Sequence, residues 1–308
     1  MSETDDFVDS PETWKRLTDR MGMQSWPTAC LYVVATPIGN LGDLSMRAWQ
    51  TLARCDVIAA EDTRASKPLM QAWGVTTPLI AAHRHNEAQA AQEVLDRLAQ
   101  GQRVALVSDA GAPAVSDPGA RVVRAVRAAG FKVVAIPGAS AVIAALMASG
   151  VTSDENAAYI FAGFLPPKAA ARQKWLQRWC ALPAPVVMFE SPHRLKAAFA
   201  DLETVCGSQR LLTIARELTK RFEQIVTLPM GEAGAWLAAD SHHQQGEFVL
   251  IVHEAVEVAA ANELDPNCSV LLDALLESLS VRDAARGAAK VSGLPRDLLY
   301  ATALARKG

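Results

Sequence analysis

The chain has 308 residues, of which half are hydrophobic and a fifth are charged, and its net charge is −3. This composition excludes a largely disordered chain and supplies enough apolar residues for one or two packed domains. The nearly balanced charge gives no sign of a nucleic-acid or membrane partner, although local basic patches can be hidden within such a total.

Residues 1–28 are acidic and lack an apolar core, which excludes a secretory signal and predicts a disordered acidic tail. No apolar run reaches the roughly 18 residues of a membrane span. The five cysteines are scattered without CxxC spacing, so we expect buried thiols in a reducing compartment rather than disulfides or a zinc site. These features predict a cytoplasmic protein without a membrane partner.

Residues 29–152 alternate short β-branched runs with helix-like stretches, and form the predicted amino-terminal domain. Strands are predicted at 31–36, 56–60, 104–109 and 132–137, and helices at 87–100 and 120–130. This βαβα order predicts a mostly parallel sheet with helices on both faces. Asp117, followed by Pro118, is expected to cap the second helix.

Residues 153–254 contain five closely spaced strand candidates, which favour antiparallel pairing and a second, mixed α/β domain. Its three helices are predicted at 168–181, 192–206 and 231–240. A polar, alanine-rich stretch over 255–268 is predicted to be a linker, and 269–308 to be a small helical appendage.

Three predicted strands of the first domain end in loops rich in glycine and proline, at 36–40, 108–119 and 137–141. Because the carboxyl ends of parallel strands share one edge, these loops predict a pocket lined by backbone. The loops contain no lysine, and the chain has neither GxGxxG nor GxxxxGK[ST], so we expect a ligand without phosphates. For any single loop, ordinary turn formation remains an alternative.

Nine motifs occur in order along the chain: ATPIGNLGDLS (35–45), AAEDTR (59–64), HNE (85–87), SDAGAPAVSDPG (108–119), PGASA (137–141), GFLP (163–166), FESPHR (189–194), ARELTK (215–220) and GEFVLIV (246–252). Together they resemble the tetrapyrrole-methylase-like superfamily, and more narrowly its bacterial branch that methylates a cytidine 2′-hydroxyl in the decoding region of 16S ribosomal RNA. The resemblance covers about residues 31–308. It implies a two-domain α/β fold that binds S-adenosylmethionine (AdoMet) between its domains, commonly as a homodimer.

The resemblance also implies which residues bind the cofactor. They come from the three glycine-rich loops and from a strand of the second domain: Pro37, Ser108, Asp109, Ala110, Gly111, Ser140, Ala141, Met188 and Phe189.

Methyl transfer to a ribose hydroxyl requires in-line alignment and benefits from a general base, and needs no metal in principle. Asp62 or His85 is expected to accept the proton, with Glu87 orienting His85. Arg64 is expected to hold a phosphate, and the neighbouring Glu61 to bind substrate. A salt bridge or helix cap remains open for Asp62 and Arg64, and a structural hydrogen bond for His85.

Charged residues after two strands of the second domain are expected to bind RNA phosphates or the cofactor carboxylate, with ordinary ion pairing as the alternative. They are Arg194, Arg216 and Lys220. The basic stretch 166–179, which carries Arg172, is a further candidate phosphate track. The alternative there is a solvated helix whose tryptophans face the core.

The last helices have the spacing of a helix-turn-helix, with Ala289, Gly293 and Leu299 at its characteristic positions. Residues 282–308 hold six basic and two acidic residues, so their net charge is +4. We therefore expect Lys290 and Arg296 to contact RNA of the small ribosomal subunit, although a simple helical packing module remains possible. A small-molecule, tetrapyrrole-like methyltransferase and a non-enzymatic nucleic-acid-binding protein are the alternative functions.

Overall fold

The computed structural model describes residues 11–83, 86–153, 156–255, 264 and 266–307. The chain divides into two compact units, Met1–Ala255 and Val256–Gly308. The first contains two β-sheets, and the described part of the second contains three helices. None of the helices in the described residues has the length and apolar composition needed to cross a membrane.

Helix α1 (Pro11–Gly22) corrects the prediction that residues 1–28 form a disordered tail. Acidic composition suggested disorder, but Trp14, Leu17 and Met21 recur at helical spacing and give the segment an amphipathic face. Both Trp14 and Leu17 are more than two-fifths exposed. The first ten residues of the predicted tail lie outside the described residues.

The first sheet has five parallel strands, as the βαβα pattern predicts. They are β1 (Cys30–Val34), β2 (Val57–Ala60), β3 (Leu79–Ala81), β4 (Arg103–Val107) and β5 (Lys132–Ile136). Their order is β3-β2-β4-β1-β5. The central β1 pairs Tyr32 with Ala105 on one side and Val134 on the other. The prediction missed β3, because three residues are too few for a clear alternation.

Five helices follow the strands of this sheet: α2 (Met46–Arg54), α3 (Thr63–Ala72), α4 (Glu87–Ala99), α5 (Ala120–Ala128) and α6 (Ala141–Ser149). On one face Tyr32 and Ile58 pack with Leu52 of α2. On the other face Leu31 packs with Val94 of α4 and Val122 of α5. Helices on both faces explain why the strands are almost continuously apolar.

The second sheet is mixed, which confirms the prediction from closely spaced strands. It comprises β6 (Ile160–Phe164), β7 (Val186–Glu190), β8 (Leu211–Arg216), β9 (Gln224–Pro229) and β10 (Phe248–Val252), in the order β6-β7-β10-β8-β9. Only the β6–β7 pair is parallel among its strand pairs. Its helices are α7 (Ala169–Trp179), α8 (Leu195–Cys206) and α9 (Ala233–Ala239). Each predicted α/β domain carries one sheet, although both sheets lie in one compact unit.

The second unit contains α10 (Pro266–Ser278), α11 (Val281–Ser292) and α12 (Arg296–Lys307). Helix α10 begins inside the predicted linker 255–268, whose earlier part, 256–263, lies outside the described residues. Leu272, Ala288 and Leu299 are fully buried in its core. Gly293 ends α11 at a φ of 72°, a left-handed conformation that favours glycine, and so makes the predicted turn between the last two helices.

All five cysteines are free thiols, and four of them are buried. Their positions agree with the prediction that they serve as small apolar residues.

Candidate active site

A cavity of about 350 Å³ is lined by residues of both sheets of the first unit. Ile38, Gly111 and Ser140 line it from the three loops after β1, β4 and β5. Leu218 and Gly246 line it from loops of the second sheet. Small-molecule sites usually measure roughly 300–1,000 Å³, so the cavity is large enough for one ligand of that class.

Glycines let the three loops approach one another closely. Gly111, at a φ of 81°, exchanges two backbone hydrogen bonds with Thr36, at 2.9 and 3.0 Å. A Cβ on Gly138 would stand 3.1 Å from the Cβ of Ala35 and 3.2 Å from its carbonyl oxygen. The glycine-rich composition is therefore a requirement of close backbone packing at the edge of the cavity.

Five of the nine predicted cofactor residues line the cavity. They are Ala110, Gly111, Ser140, Ala141 and Phe189. Their role in cofactor binding remains a prediction.

The other four predicted cofactor residues lie outside the cavity lining. Pro37 is buried next to Ile38. The Ser108 hydroxyl is buried and lies 3.3 Å from the carbonyl oxygens of Ala110 and Gly111. Met188 is fully buried in the core on the other face of the second sheet, because neighbouring residues of a strand alternate between faces. Asp109 is exposed, and its Oδ1 accepts a hydrogen bond from the Asp62 backbone at 2.9 Å.

The charged residues that line the cavity are acidic. They are Asp117, Glu190 and Glu247, of which Glu190 pairs with Arg194 and Glu247 with Lys220, and none of the described residues that line the cavity is basic. The first turn of α6 also borders the cavity through Ala141 and Val142. The Ser140 side chain makes no capping hydrogen bond there. The cavity is therefore bordered by N–H donors of a helix start that the Ser140 side chain does not cap.

Asp62 and Arg64 form a local pair next to the sheet edge. Asp62 caps α3, and its carboxylate accepts bonds from the Arg64 backbone at 2.8 Å and from its guanidinium at 2.7 and 3.1 Å. These hydrogen bonds lower the pKa of Asp62 to about 2. The arrangement matches the helix-cap and salt-bridge alternative. Glu61 is half-buried and has an interaction partner of its own, and His85 lies outside the described residues.

Glu87 caps a helix. Its Oε1 accepts a hydrogen bond of 2.8 Å from the Gly119 backbone at the start of α5. Gly119 occupies the N-cap position at a φ of 120°, so the predicted cap by Asp117 is corrected. The negative charge of Glu87 also suits the positive end of the helix dipole. The helix cap accounts for the position of Glu87, so the predicted orientation of His85 by Glu87 is not needed to explain it.

The predicted phosphate-binding residues of the second sheet have protein partners. Arg194 pairs with the fully buried Glu190 at 2.5 Å. Arg216 is only 7% exposed and donates to the carbonyl oxygens of Gln245 and Phe222, so its predicted contact with RNA is corrected. Arg194 follows the ion-pairing alternative, whereas the partners of Arg216 are backbone carbonyl oxygens.

Lys220 connects two loops of the second sheet with a loop of the first. Its Nζ donates to Glu217 at 2.8 Å and to Glu247 at 2.9 Å, while its aliphatic part lies against Gly39. Partial desolvation opposes the charged form, but the hydrogen bonds to the two carboxylates outweigh it and raise the pKa of Lys220. The ammonium is already compensated, so the structure gives Lys220 a role in joining these loops.

The candidate phosphate track on α7 is also corrected at its central residue. Arg172 is 3% exposed, forms an ion pair with Asp201 and donates to the carbonyl oxygens of Pro166 and Pro167. The positive charge of Arg172 is therefore compensated inside the fold by Asp201.

The residues of the second unit that are predicted to contact RNA differ from Arg172 in their exposure and in their charge pairing. Lys290 in the last turn of α11 and Arg296 at the start of α12 are exposed. In the described part of the chain neither has an ion-pair or hydrogen-bond partner, whereas Arg286 pairs with Asp283 and Arg306 with Asp273. Two uncompensated charges thus flank the turn between α11 and α12.

Of the apolar cavity residues that sequence reasoning did not identify, Phe164 and Val115 are the most exposed. They are 56% and 43% exposed. A glycine inside a strand pattern, here Gly163, suggests a bulge, and this signal directs attention to the following Phe164.

Two family models match the chain. Residues 30–234 match "Tetrapyrrole (Corrin/Porphyrin) Methylases", and residues 262–307 match "RsmI C-terminal HTH domain". The first match covers more than half of the chain, and the second covers its helical unit.

Relatives support the same assignment. A Pseudomonas aeruginosa protein named ribosomal RNA small subunit methyltransferase I is 45% identical over 278 residues, which are 90% of this chain and 98% of the relative. A protein of the same name from Escherichia coli O157:H7 is 42% identical and covers 90% and 96%. The solved uroporphyrin-III C-methyl transferase from Thermus thermophilus, complexed with S-adenyl homocysteine, has a TM-score of 0.51 at 16% identity, and the alignment covers 74% of this chain and 99% of that one. The last comparison establishes the fold alone.

Proposed function

The chain belongs to the tetrapyrrole methylase family, in its ribosomal RNA small subunit methyltransferase I branch, and we propose that it methylates a cytidine 2′-hydroxyl in the decoding region of 16S ribosomal RNA with AdoMet. The observation that carries the proposal is the presence in one chain of a loop-lined cavity and a helix-turn-helix unit with uncompensated basic residues. The names of the relatives support ribosomal RNA as the substrate. The cytidine and the 2′-oxygen are what the resemblance carried by the nine ordered motifs implies.

The chemistry of the cavity fits AdoMet. The lack of a basic side chain in its described lining disfavours polyphosphates. The first-turn N–H groups of α6, near Ala141 and Val142, suit the cofactor carboxylate. Ala110, Gly111 and Phe189 would hold the remaining parts of the molecule through backbone and apolar contact.

When bound, AdoMet supplies an electrophilic methyl group on its sulfonium. The chain's own residues bind and orient the reactants: the three loops fix one side of the cavity, and Ile38, Val142 and Val249 exclude water from it. Orientation of this kind contributes roughly 7–11 kcal/mol in well-aligned reactions. Of the two proposed proton acceptors, Asp62 is a weak base at neutral pH because its pKa is about 2. His85 remains the better candidate.

We further propose that the chain acts as a homodimer in the cytoplasm, where ribosomal subunits are found. Ile143 and Met147, one turn apart on α6, are 43% and 81% exposed and give that helix an apolar stripe suited to a second copy. Light scattering on the purified protein tests this proposal, and a mass of one chain at micromolar concentration would contradict it.

The function is tested by incubating the protein with labelled AdoMet and small ribosomal subunits that lack the modification. Mass spectrometry then locates the added methyl group. We expect it on the 2′-oxygen of one cytidine in the decoding region. A methyl group on a base nitrogen or carbon, or no transfer at all, would refute the proposal.

A further inference from the structure

Strand β6 changes its register just before it reaches the cavity. Phe161 lies opposite Val187, but Phe164 rather than Gly163 lies opposite Phe189, so one extra residue is inserted. Gly163 takes a φ of 78°, a conformation that favours glycine. Bulges of this kind redirect a side chain and are common next to functional sites.

The bulge brings Phe164 to the cavity side of the sheet. Ile160 and Ala162 face the core on the opposite side, and regular alternation would place Phe164 with them. Instead Leu165 enters that core, while Phe164 packs edge-on against Phe189 with ring centroids 5.2 Å apart. Phe189 thereby packs against one side of the Phe164 ring. Phe164 remains 56% exposed, although phenylalanine side chains are usually buried.

The loop after β4 presents a second apolar side chain to the same cavity. Val115 is 43% exposed and lies between Ala114 and Ser116, which both have left-handed φ values, 67° and 68°. Such strain in residues other than glycine is concentrated at functional sites. A Cβ on Gly163 would be 3.7 Å from the Ser116 hydroxyl oxygen, so the segments that carry Phe164 and Val115 lie next to each other.

We propose that Phe164 and Val115 form a clamp for the base of the methyl-accepting nucleotide, with the base stacked on the Phe164 ring. This inference rests on the proposed function. An acceptor hydroxyl must approach the methyl group to about 3–3.5 Å, so its nucleotide must enter the opening of the cavity. A nucleotide drawn out of an RNA stack loses its stacking partners, and an aromatic side chain restores one. The most exposed large apolar side chain in the described lining is Phe164.

The first test is kinetic. Phe164→Ala should raise KM for small subunits about 10-fold or more, because stacking on one aromatic side chain contributes that much. The Kd of S-adenosylhomocysteine, measured by calorimetry, should change much less than KM, because Phe164 affects the proposed cofactor site through its packing on Phe189. Phe164→Trp should preserve KM. The matched control is Phe222→Ala, since Phe222 is 65% exposed but is absent from the cavity lining. An unchanged KM, or an equal loss of S-adenosylhomocysteine affinity, would overturn the clamp.

The second test does not depend on methyl transfer. A single-stranded oligoribonucleotide with one pyrrolocytosine, a fluorescent cytosine analogue quenched by stacking, is titrated with protein saturated with S-adenosylhomocysteine. The wild type and Phe222→Ala should quench it, and Phe164→Ala should not. Equal fluorescence with all three proteins overturns the clamp. Quenching by the wild type without methylation of small subunits would support the clamp and refute the proposed function.

Discussion

The aliphatic chain of Lys220 lies directly over Gly39: a Cβ on Gly39 would stand 2.6 Å from two of its carbon atoms. Gly39 has a φ of 131°, which other residues rarely adopt. Ile38 and Leu218, their near neighbours in sequence, line the cavity. The contact therefore joins a loop of the first sheet to a loop of the second at the cavity wall.

Replacement of Gly39 by alanine should lower the free energy of unfolding by about 2 kcal/mol or more, because it adds backbone strain and a steric clash. Lys220→Ala removes the clashing atoms, so the double variant should lose less than the sum of the single losses. Urea unfolding of the four proteins measures this coupling. Gly74→Ala is the control, since Gly74 has a φ of 64° and nothing within 4 Å of the added Cβ. Additive losses at Gly39 and Lys220 would contradict the contact.

The sequence predicted the elements with clear periodicity and the loops between them. The parallel sheet and the mixed sheet were accessible because alternation is a local signal, whereas the five predicted cavity residues came from the resemblance that the motifs carry. The contacts of Lys220 with Gly39 and Glu247 could not be predicted from local signals, since both residues are far from Lys220 in sequence. The exposure of Phe164 depends on an inserted residue in β6, and regular alternation predicts the opposite face.

Arg64→Gln should raise the pKa of Asp62 from about 2 toward the ordinary 3.8. It should remain below that value, because the backbone N–H of residue 64 still donates to the carboxylate. A lowered folded-state pKa means that this pair stabilises the fold above about pH 4 and loses its effect as the pH falls toward 2. Carbon-13 NMR of the Asp62 carboxyl measures the titration. The same shift in Arg121→Gln, on the exposed face of α5, would contradict the assignment.

Glu87→Gln separates a helix cap from a role in proton transfer. Glutamine keeps an acceptor for the Gly119 N–H, so stability and methyl transfer should change little. Glu87→Ala removes the acceptor and should cost about 1 kcal/mol of stability, as the loss of other helix caps does. Thermal unfolding and initial rates measure both effects. A Glu87→Gln protein that is stable but loses most of its activity would favour the predicted support of His85.

Arg172→Ala should destabilise the protein by about 3–5 kcal/mol, because it leaves the buried Asp201 carboxylate without a cation and with the neutral Gln173 amide as its remaining side-chain partner. Lys174→Ala, on the exposed side of α7, should have almost no effect on stability. Urea unfolding of both variants provides the comparison. If Arg172→Ala is as stable as Lys174→Ala, the buried ion pair does not stabilise the fold.

The basic residues beside the turn of the second unit should contribute to RNA affinity through phosphate contacts. Lys290 and Arg296 are exposed and uncompensated, so replacing both by glutamine should weaken binding to small subunits. Each lost phosphate contact lowers the slope of log Kd against log salt by about 0.7–0.9, so two contacts should lower it by about 1.5. Binding at several salt concentrations measures this slope.

The same double variant should bind S-adenosylhomocysteine with unchanged affinity, because both substitutions lie in the helical unit and the cavity is lined by the other unit. Arg286→Gln is the control, since the charge of Arg286 is compensated by Asp283 at 2.8 Å. It should alter the salt slope by less than one contact. An equal reduction of the slope by Arg286→Gln would mean that the overall charge of the unit, rather than the two residues beside the turn, determines RNA affinity.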